Sequence, residues 1–309
     1  MNSSVIVLVG STGVGKSKVA VGLSKYFSSE IVSADSMQVY KYMNIGTAKP
    51  SIEDRRVVPH HIINIVYPDQ YFSAGEYAKI ARGEINKIID SGKIPIVVGG
   101  SGLYIRAVID GLFPEPVISE IIKKRVRTQL ADKGSHYMYK KLEKVDPAAA
   151  SKIHPNDWRR IIRALEVFLS TGETISSLQS KARAGSINYK YLIIGLKTER
   201  ENLYERIERR VDSMFKKGLV REVRGLIKKG YSQDLLPMRS LGYKEVFGYI
   251  SGNYNLNEAK ALLKKNTRHF AKRQMTWFNK DTRIKWIETS DSDKEVDSIC
   301  HNILRLAGL

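Results

Sequence analysis

The sequence predicts an α/β protein, a parallel sheet with a helical domain inserted into it, on three observations. An apolar run, Val5-Ile6-Val7-Leu8-Val9, feeds directly into Gly10-Ser11-Thr12-Gly13-Val14-Gly15-Lys16-Ser17. That is G-x-x-x-x-G-K-S in its strand-to-helix setting, a phosphate-binding loop, and it makes the core P-loop NTPase-like. Short apolar strands then alternate with helical stretches through residue 110, as parallel strands joined by crossovers do. From Pro114-Glu115-Pro116 the pattern turns mostly helical, until Tyr191-Leu192-Ile193-Ile194-Gly195-Leu196 reads as a strand returning to the sheet.

In order, the strands expected in the first third are Val5–Val9, Glu30–Ala34, His61–Val66 and Ile94–Val98. Helices are expected over 16–28, 51–56, 73–91 and 102–110. Segments 118–133, 135–144 and 156–170 place apolar residues three and four apart, which predicts helices. The stretch 173–188 is polar and contains glycine, and is expected to be a mobile connection. Helices over 199–217, 219–229, 239–251 and 257–278 follow, with Gly218 and Gly230 where C-caps belong. A strand at Arg283–Ile287 and a terminal helix close the chain. Residues 1–114 and 190–309 are therefore read as the α/β core, and 115–189 as the helical insertion.

The 309 residues can bury a large core, and no run approaches the length of a membrane span. The first strand begins almost at once, so no signal peptide is expected. One cysteine, Cys300, excludes disulfides within the chain and any cysteine-based zinc site, and the cytoplasm is the natural compartment. The net charge of +19 is uneven. Residues 1–115 carry 12 basic and 10 acidic side chains, 116–190 carry 15 and 7, and 191–309 carry 24 and 15. A small phosphorylated ligand does not call for that excess; a polyanion such as nucleic acid would be drawn by it, and plain solubility charge is the alternative.

Several positions carry chemistry. In the loop, Gly10, Gly13 and Gly15 let backbone N–H groups point at phosphate oxygens, Lys16 adds a point charge, and Ser17 can hold Mg²⁺. Asp35 ends a strand, which in such a sheet brings it near the loop as a general base or metal ligand; a turn or cap Asp is the plainer alternative. After Ile96-Val97-Val98 comes Gly99-Gly100-Ser101-Gly102, with no carboxylate to help hold Mg²⁺. That weakens a motor ATPase or a GTPase. Arg159 and Arg163 share a helix face beside Trp158, and Ile161, Ile162, Leu165 and Phe168 can form the opposite, buried one. Basic and aromatic residues interleave from Thr267 to Phe278, as a nucleic-acid face or as core aromatics with solvated charges. His60, His61 and His154 lack partners at metal-ligand spacing.

These motifs together resemble the tRNA dimethylallyltransferases. The match runs through Gly10–Ser17, Asp35-Ser36-Met37-Gln38-Val39-Tyr40, Asn44-Ile45-Gly46-Thr47-Ala48-Lys49-Pro50, Pro59-His60-His61 and Val98–Tyr104. It continues through His154-Pro155-Asn156-Asp157, Arg163–Val167, Gly242-Tyr243-Lys244-Glu245 and Lys272-Arg273-Gln274-Met275-Thr276-Trp277. The resemblance implies transfer of a dimethylallyl group from its diphosphate to N6 of adenosine 37 in tRNA, with Mg²⁺ as cofactor. It implies Asp35 as base, Ser101 as an orienting hydroxyl, and Lys16, the loop residues Gly10–Ser17 and Arg210 on the diphosphate. On the tRNA it implies Asp35, Ser36, Met37, Gln38, Ser101, Lys123, Arg159, Arg160, Ile161, Ile162, Arg163, Gly242, Tyr243 and Lys244. Ser101 stands where some relatives have threonine, so the hydroxyl survives. With one cysteine the chain cannot build the zinc finger of eukaryotic relatives, and is similar to the bacterial form; a monomer is expected. A small-molecule or nucleoside kinase is the main rival; it leaves the charge beyond residue 115 unexplained.

Overall fold

A computed structural model describes residues 4–113, 116–183, 189–289 and 293–309. The sheet has six strands, all parallel, in the order β3-β2-β4-β1-β5-β6. They are β1 (Ser4–Gly10), β2 (Ser29–Ser33), β3 (His60–His61), β4 (Ile94–Val98), β5 (Lys190–Lys197) and β6 (Lys285–Glu288). Successive side chains on a strand point to opposite faces. Here Val5, Val7 and Val9 enter one core with Val32, Val97 and Ile193, while Ile6 and Leu8 enter another with Ile31, Ile96, Ile194 and Leu196. Both faces are covered, so the central strands read as unbroken apolar runs.

The helices are α1 (Lys16–Leu23), α2 (Ile52–Val57), α3 (Ala74–Asp90), α4 (Gly102–Asp110), α5 (Glu120–Val145, interrupted at Gly134), α6 (Pro147–Ala150), α7 (Trp158–Thr171) and α8 (Ile175–Arg183). After β5 come α9 (Arg200–Lys216), α10 (Leu219–Lys228), α11 (Tyr243–Ile250), α12 (Leu256–Phe278) and α13 (Asp293–Ala307). On the Val7 face of the sheet lie α3, α4, α10 and α11; α1 and α13 cover the other, through Val19, Leu23, Ile299 and Ile303. No helix among the described residues is long and apolar enough to cross a membrane.

The chain divides into two compact units, one of residues 1–109 and 188–309, the other of 110–187. Among its described residues the second has helices and no strand, with a core of Val126, Met138, Leu142, Ala150, Ile161, Ile162 and Leu165.

Three expectations need correction. The strand over His61–Val66 shrinks to His60–His61, because Ile62 and Asn64 adopt left-handed φ of 62° and 59°. Extended pairing returns only at Val66, which bridges Tyr40. Lys49 holds that bend by donating to Asn64 Oδ1 at 2.5 Å and to the Tyr40 carbonyl. Residues 175–183, expected to be a connection, form α8, tied down where Asp146 accepts from Ser176 N–H at 3.0 Å and from its hydroxyl at 2.7 Å. Residues 184–188 of that stretch lie outside the described ones. The first helix stops at Leu23 rather than 28, where Lys25 and Tyr26 turn back onto Gly22 and Leu23.

Candidate active site

The phosphate loop leaves β1 at the centre of the sheet and enters α1. Gly10 has φ 142°, and a Cβ there would lie 2.5 Å from the Leu196 carbonyl oxygen, so only glycine lets β1 and β5 pair this closely at the turn. Gly15, at φ 101°, precedes α1 and brings no capping side chain. The first N–H groups of the helix are therefore left for an anion. Lys16 curls back, its Nζ donating to the carbonyls of Gly10 at 2.9 Å and Ser11 at 2.7 Å. An ammonium has three donors, so one remains for a ligand. Burial and then the Arg210 guanidinium push the Lys16 pKa down to about 7, against the pull of Asp35. Burial also lowers that of Arg210, again opposed by Asp35. Both cations line a cavity, deep in protein yet partly open to it.

Asp35 lies just beyond β2, on the same side of the sheet as the loop. Its Oδ1 accepts from the N–H of Met37 at 2.8 Å and of Gln38 at 3.3 Å, which fixes the carboxylate on its turn. Asp35 is thus a turn aspartate, and it lines the same cavity as Lys16, whose charge it favours. Ser101 follows β4, and its Oγ accepts from Ser36 N–H at 2.9 Å. Gly99 permits that approach, since a Cβ there would lie 2.0 Å from the Ala34 carbonyl oxygen. The carboxylate, the hydroxyl and the phosphate loop line one cavity of about 920 Å³, together with Arg206, Arg210 and Arg273. That volume suits a small ligand plus part of a larger one.

All residues lining the cavity belong to the sheet unit. Ser36, Met37, Gln38 and Lys244 are among them. Gly242 and Tyr243 are not: Gly242 precedes α11, and Tyr243 is fully buried with its hydroxyl donating to Glu222 at 2.7 Å. Tyr243 therefore packs, and presents no surface to a ligand. Ile161 and Ile162 are likewise core of the helical unit, so their side chains are not offered to RNA. Lys123, Arg159, Arg160 and Arg163 sit on that unit; Lys123 pairs with Glu120 at 2.7 Å, Arg160 with Asp157 at 3.4 Å, and Arg159 lies over the Trp158 ring.

Two residues were given no individual role from the sequence, although Gln274 stands in the motif over 272–277. Glu222 on α10 accepts the N–H groups of Asn44 at 3.0 Å, Ile45 at 2.8 Å and Gly46 at 3.1 Å, so it holds the loop that lines the cavity at Gly46–Ala48. Gln274 on α12 joins the phosphate loop to the turn after β4, accepting from Thr12 N–H and donating to the Gly100 carbonyl. Glu222→Ala leaves those N–H groups and Tyr243 without their acceptor. The expected loss is about 1–3 kcal/mol, chiefly from the partly buried N–H groups of Ile45 and Gly46 and the Tyr243 hydroxyl left unpaired, read as a lowered denaturant midpoint; an unchanged midpoint would mean that water replaces the carboxylate.

A family model described as IPP transferase matches residues 38–281. A tRNA dimethylallyltransferase of Carboxydothermus hydrogenoformans is 47% identical over 311 residues, covering all of this chain and 99% of that one. One from Alkaliphilus oremlandii is 43% identical over 304 residues, 98% and 95% of the two chains. Among solved structures, the full-length tRNA isopentenylpyrophosphate transferase of Bacillus halodurans superposes with TM-score 0.72 at 38% identity, covering 99% and 96% of the two chains. A eukaryotic dimethylallyltransferase described as acting on tRNA gives TM-score 0.82 at 28% identity, over 99% of this chain and 79% of its own.

Proposed function

The chain belongs to the tRNA dimethylallyltransferase (IPP transferase) family, and we propose that it moves a dimethylallyl group from dimethylallyl diphosphate to N6 of adenosine 37 in tRNA, releasing diphosphate. The carrying observation is that Asp35 and two cations suited to a diphosphate, Lys16 and Arg210, feel one another's charge in one cavity. A phosphate loop cradles a departing diphosphate as readily as a nucleotide.

The exocyclic amine of adenine is a weak nucleophile, because its lone pair is delocalised into the ring. As N6 bonds to C1 of the dimethylallyl group, the C1–O bond breaks and its electron pair leaves with the diphosphate. The N–H proton passes to Asp35, whose fixed carboxylate acts as general base. Ser101 orients the adenine, which enters unstacked from the RNA. Lys16, Arg210 and the loop N–H groups stabilise the charge gathering on the leaving diphosphate.

Mg²⁺ fits as a partner of the donor rather than of a protein cage. No cluster of three or more His, Cys, Asp or Glu able to hold a metal occurs among the described residues. Ser17 is exposed at the start of α1, where its hydroxyl would hold Mg²⁺, and the ion would neutralise donor charge. The proposal extends to a cytoplasmic monomer, with the helical unit, net basic, gripping the tRNA.

One assay tests the reaction. Incubated with tRNA, labelled dimethylallyl diphosphate and ATP, the enzyme should place label on adenosine 37 and leave ATP intact. Consumption of ATP with no label in tRNA would favour a kinase. The RNA grip has its own test, since Arg159 and Arg163 lie on the helical unit. Arg159→Glu with Arg163→Glu should weaken tRNA binding and flatten its salt dependence by about one unit of slope per phosphate contact. Donor affinity should not move. An unchanged slope would assign these arginines to solvent.

A further inference from the structure

Gln274 is 7% exposed, on the buried stripe of α12 with Thr267, Ala271 and Phe278. A polar side chain in such a stripe costs stability unless its groups are bonded, and here they are. Its Oε1 accepts from Thr12 N–H at 2.8 Å, and its Nε2 donates to the Gly100 carbonyl at 2.9 Å. The partners fix the amide's orientation: Thr12 N–H can only donate and the Gly100 carbonyl can only accept, so the reversed amide would set like against like. Gly100 leaves the room, since a Cβ there would lie 2.2 Å from Nε2.

The two partners belong to the two halves of the reaction. Thr12 is in the loop that would hold the donor diphosphate. Gly100 precedes Ser101, whose Oγ accepts from Ser36 N–H at 2.9 Å, and Ser36 follows Asp35. One buried amide therefore ties the donor side to the acceptor side across 262 residues of sequence. We propose that Gln274 is a positioning residue, setting the distance between the diphosphate-binding loop and the Ser101–Asp35 pair so that the transferred carbon meets the amine. This rests on the function proposed above. Gln274 is not assigned a contact with either substrate; it acts through Thr12 and Gly100.

The chemistry of the amide supplies the test. Methionine nearly matches glutamine in volume and makes neither bond. A glutamate carboxylate still accepts from Thr12 but turns its second oxygen against the Gly100 carbonyl. A protonated glutamic acid restores both bonds, accepting with C=O and donating with O–H. Single-turnover rates at saturating tRNA and donor, dissociation constants for both substrates and thermal midpoints should be measured for wild type, Gln274→Met and Gln274→Glu.

For Gln274→Met the single-turnover rate should fall about 10²-fold, the cost of misplacing reacting groups by roughly an ångström, with both dissociation constants nearly unchanged. For Gln274→Glu, the ratio of its rate to wild type should climb as pH falls from about 8 to about 5.5, because burial of the introduced carboxyl, at a position 7% exposed, favours its acid form. Division by wild type removes pH effects common to both proteins. A purely structural role would lower the thermal midpoint and leave that ratio flat in pH. A flat ratio, or a methionine variant as fast as wild type, overturns the proposal. If the methionine variant does not fold, the pH ratio of the glutamate variant decides. A wild-type protein that transfers nothing to tRNA overturns the function itself, and this role with it.

Discussion

Asp35→Asn should still bind tRNA and dimethylallyl diphosphate while losing about 10²–10⁴ of the single-turnover rate, the usual contribution of a general base. Asparagine is the informative replacement because the turn survives it. Its Oδ1 can still accept from Met37 N–H and Gln38 N–H, so the chain beyond β2 and the contact between Ser36 and Ser101 have no reason to move. What disappears is the carboxylate proposed to take the N6 proton. One side effect needs control. Asp35 pulls the pKa of Lys16 and of Arg210 upward, so its removal lets Lys16 fall further below about 7. Rates are therefore best compared at about pH 6, at saturating donor, where an effect through Lys16 is smallest. A loss below about tenfold under those conditions would remove Asp35 as the base.

The phosphate loop was legible because its residues are neighbours in sequence. The run from Val5 to Ser17 contains strand, turn and helix start together, so the loop's chemistry needs no tertiary information. Asp35 was legible by a slightly longer inference: a strand end in a parallel sheet points at the same edge as the loop. The contacts that tie the site together were not. Glu222 reaches residues 44–46 across 176 to 178 positions, and Gln274 reaches Thr12 across 262. No local pattern encodes such a pairing. A partial signal did exist for Gln274. Thr267, Ala271, Gln274 and Phe278 recur at helical spacing, and a glutamine inside that stripe marks a buried amide in need of partners. Tyr243 was misassigned for the converse reason, because a motif position says nothing about which way its side chain faces. The His61–Val66 strand failed on backbone: apolar residues suggested extension, and left-handed φ at Ile62 and Asn64, held in part by Lys49 bonded to Asn64, interrupted it.

Lys16→Ala should weaken donor binding and slow transfer together, the rate by about 10²–10³ as for removal of one preorganised donor at a charge-developing atom. The charge serves the bound diphosphate and the departing one alike, so both quantities must move. Lys16 also carries a pH signature that no other residue of the loop can. Its pKa of about 7 in the unliganded site means that above pH 7 it is mostly neutral. A bound diphosphate favours the ammonium and raises that pKa. Donor binding at pH 8 should then take up a proton, visible as a binding enthalpy that depends on the buffer's ionisation enthalpy. The donor's dissociation constant, taken relative to the alanine variant to cancel the donor's own ionisation, should rise by up to about tenfold per pH unit above about 7. Stability should move the other way. A lysine whose folded pKa lies below its unfolded value binds fewer protons folded than unfolded, so its cost is full below the folded pKa and gone above the unfolded one. With those values at about 7 and 10.5, Lys16→Ala should raise the thermal midpoint more at pH 6 than at pH 9. A variant with wild-type donor kinetics would take the phosphate loop out of the mechanism. One with weakened binding, no proton uptake to lose and no pH-dependent gain in stability would keep the loop and show that Lys16 is charged throughout, its two bonds to Gly10 and Ser11 outweighing its burial.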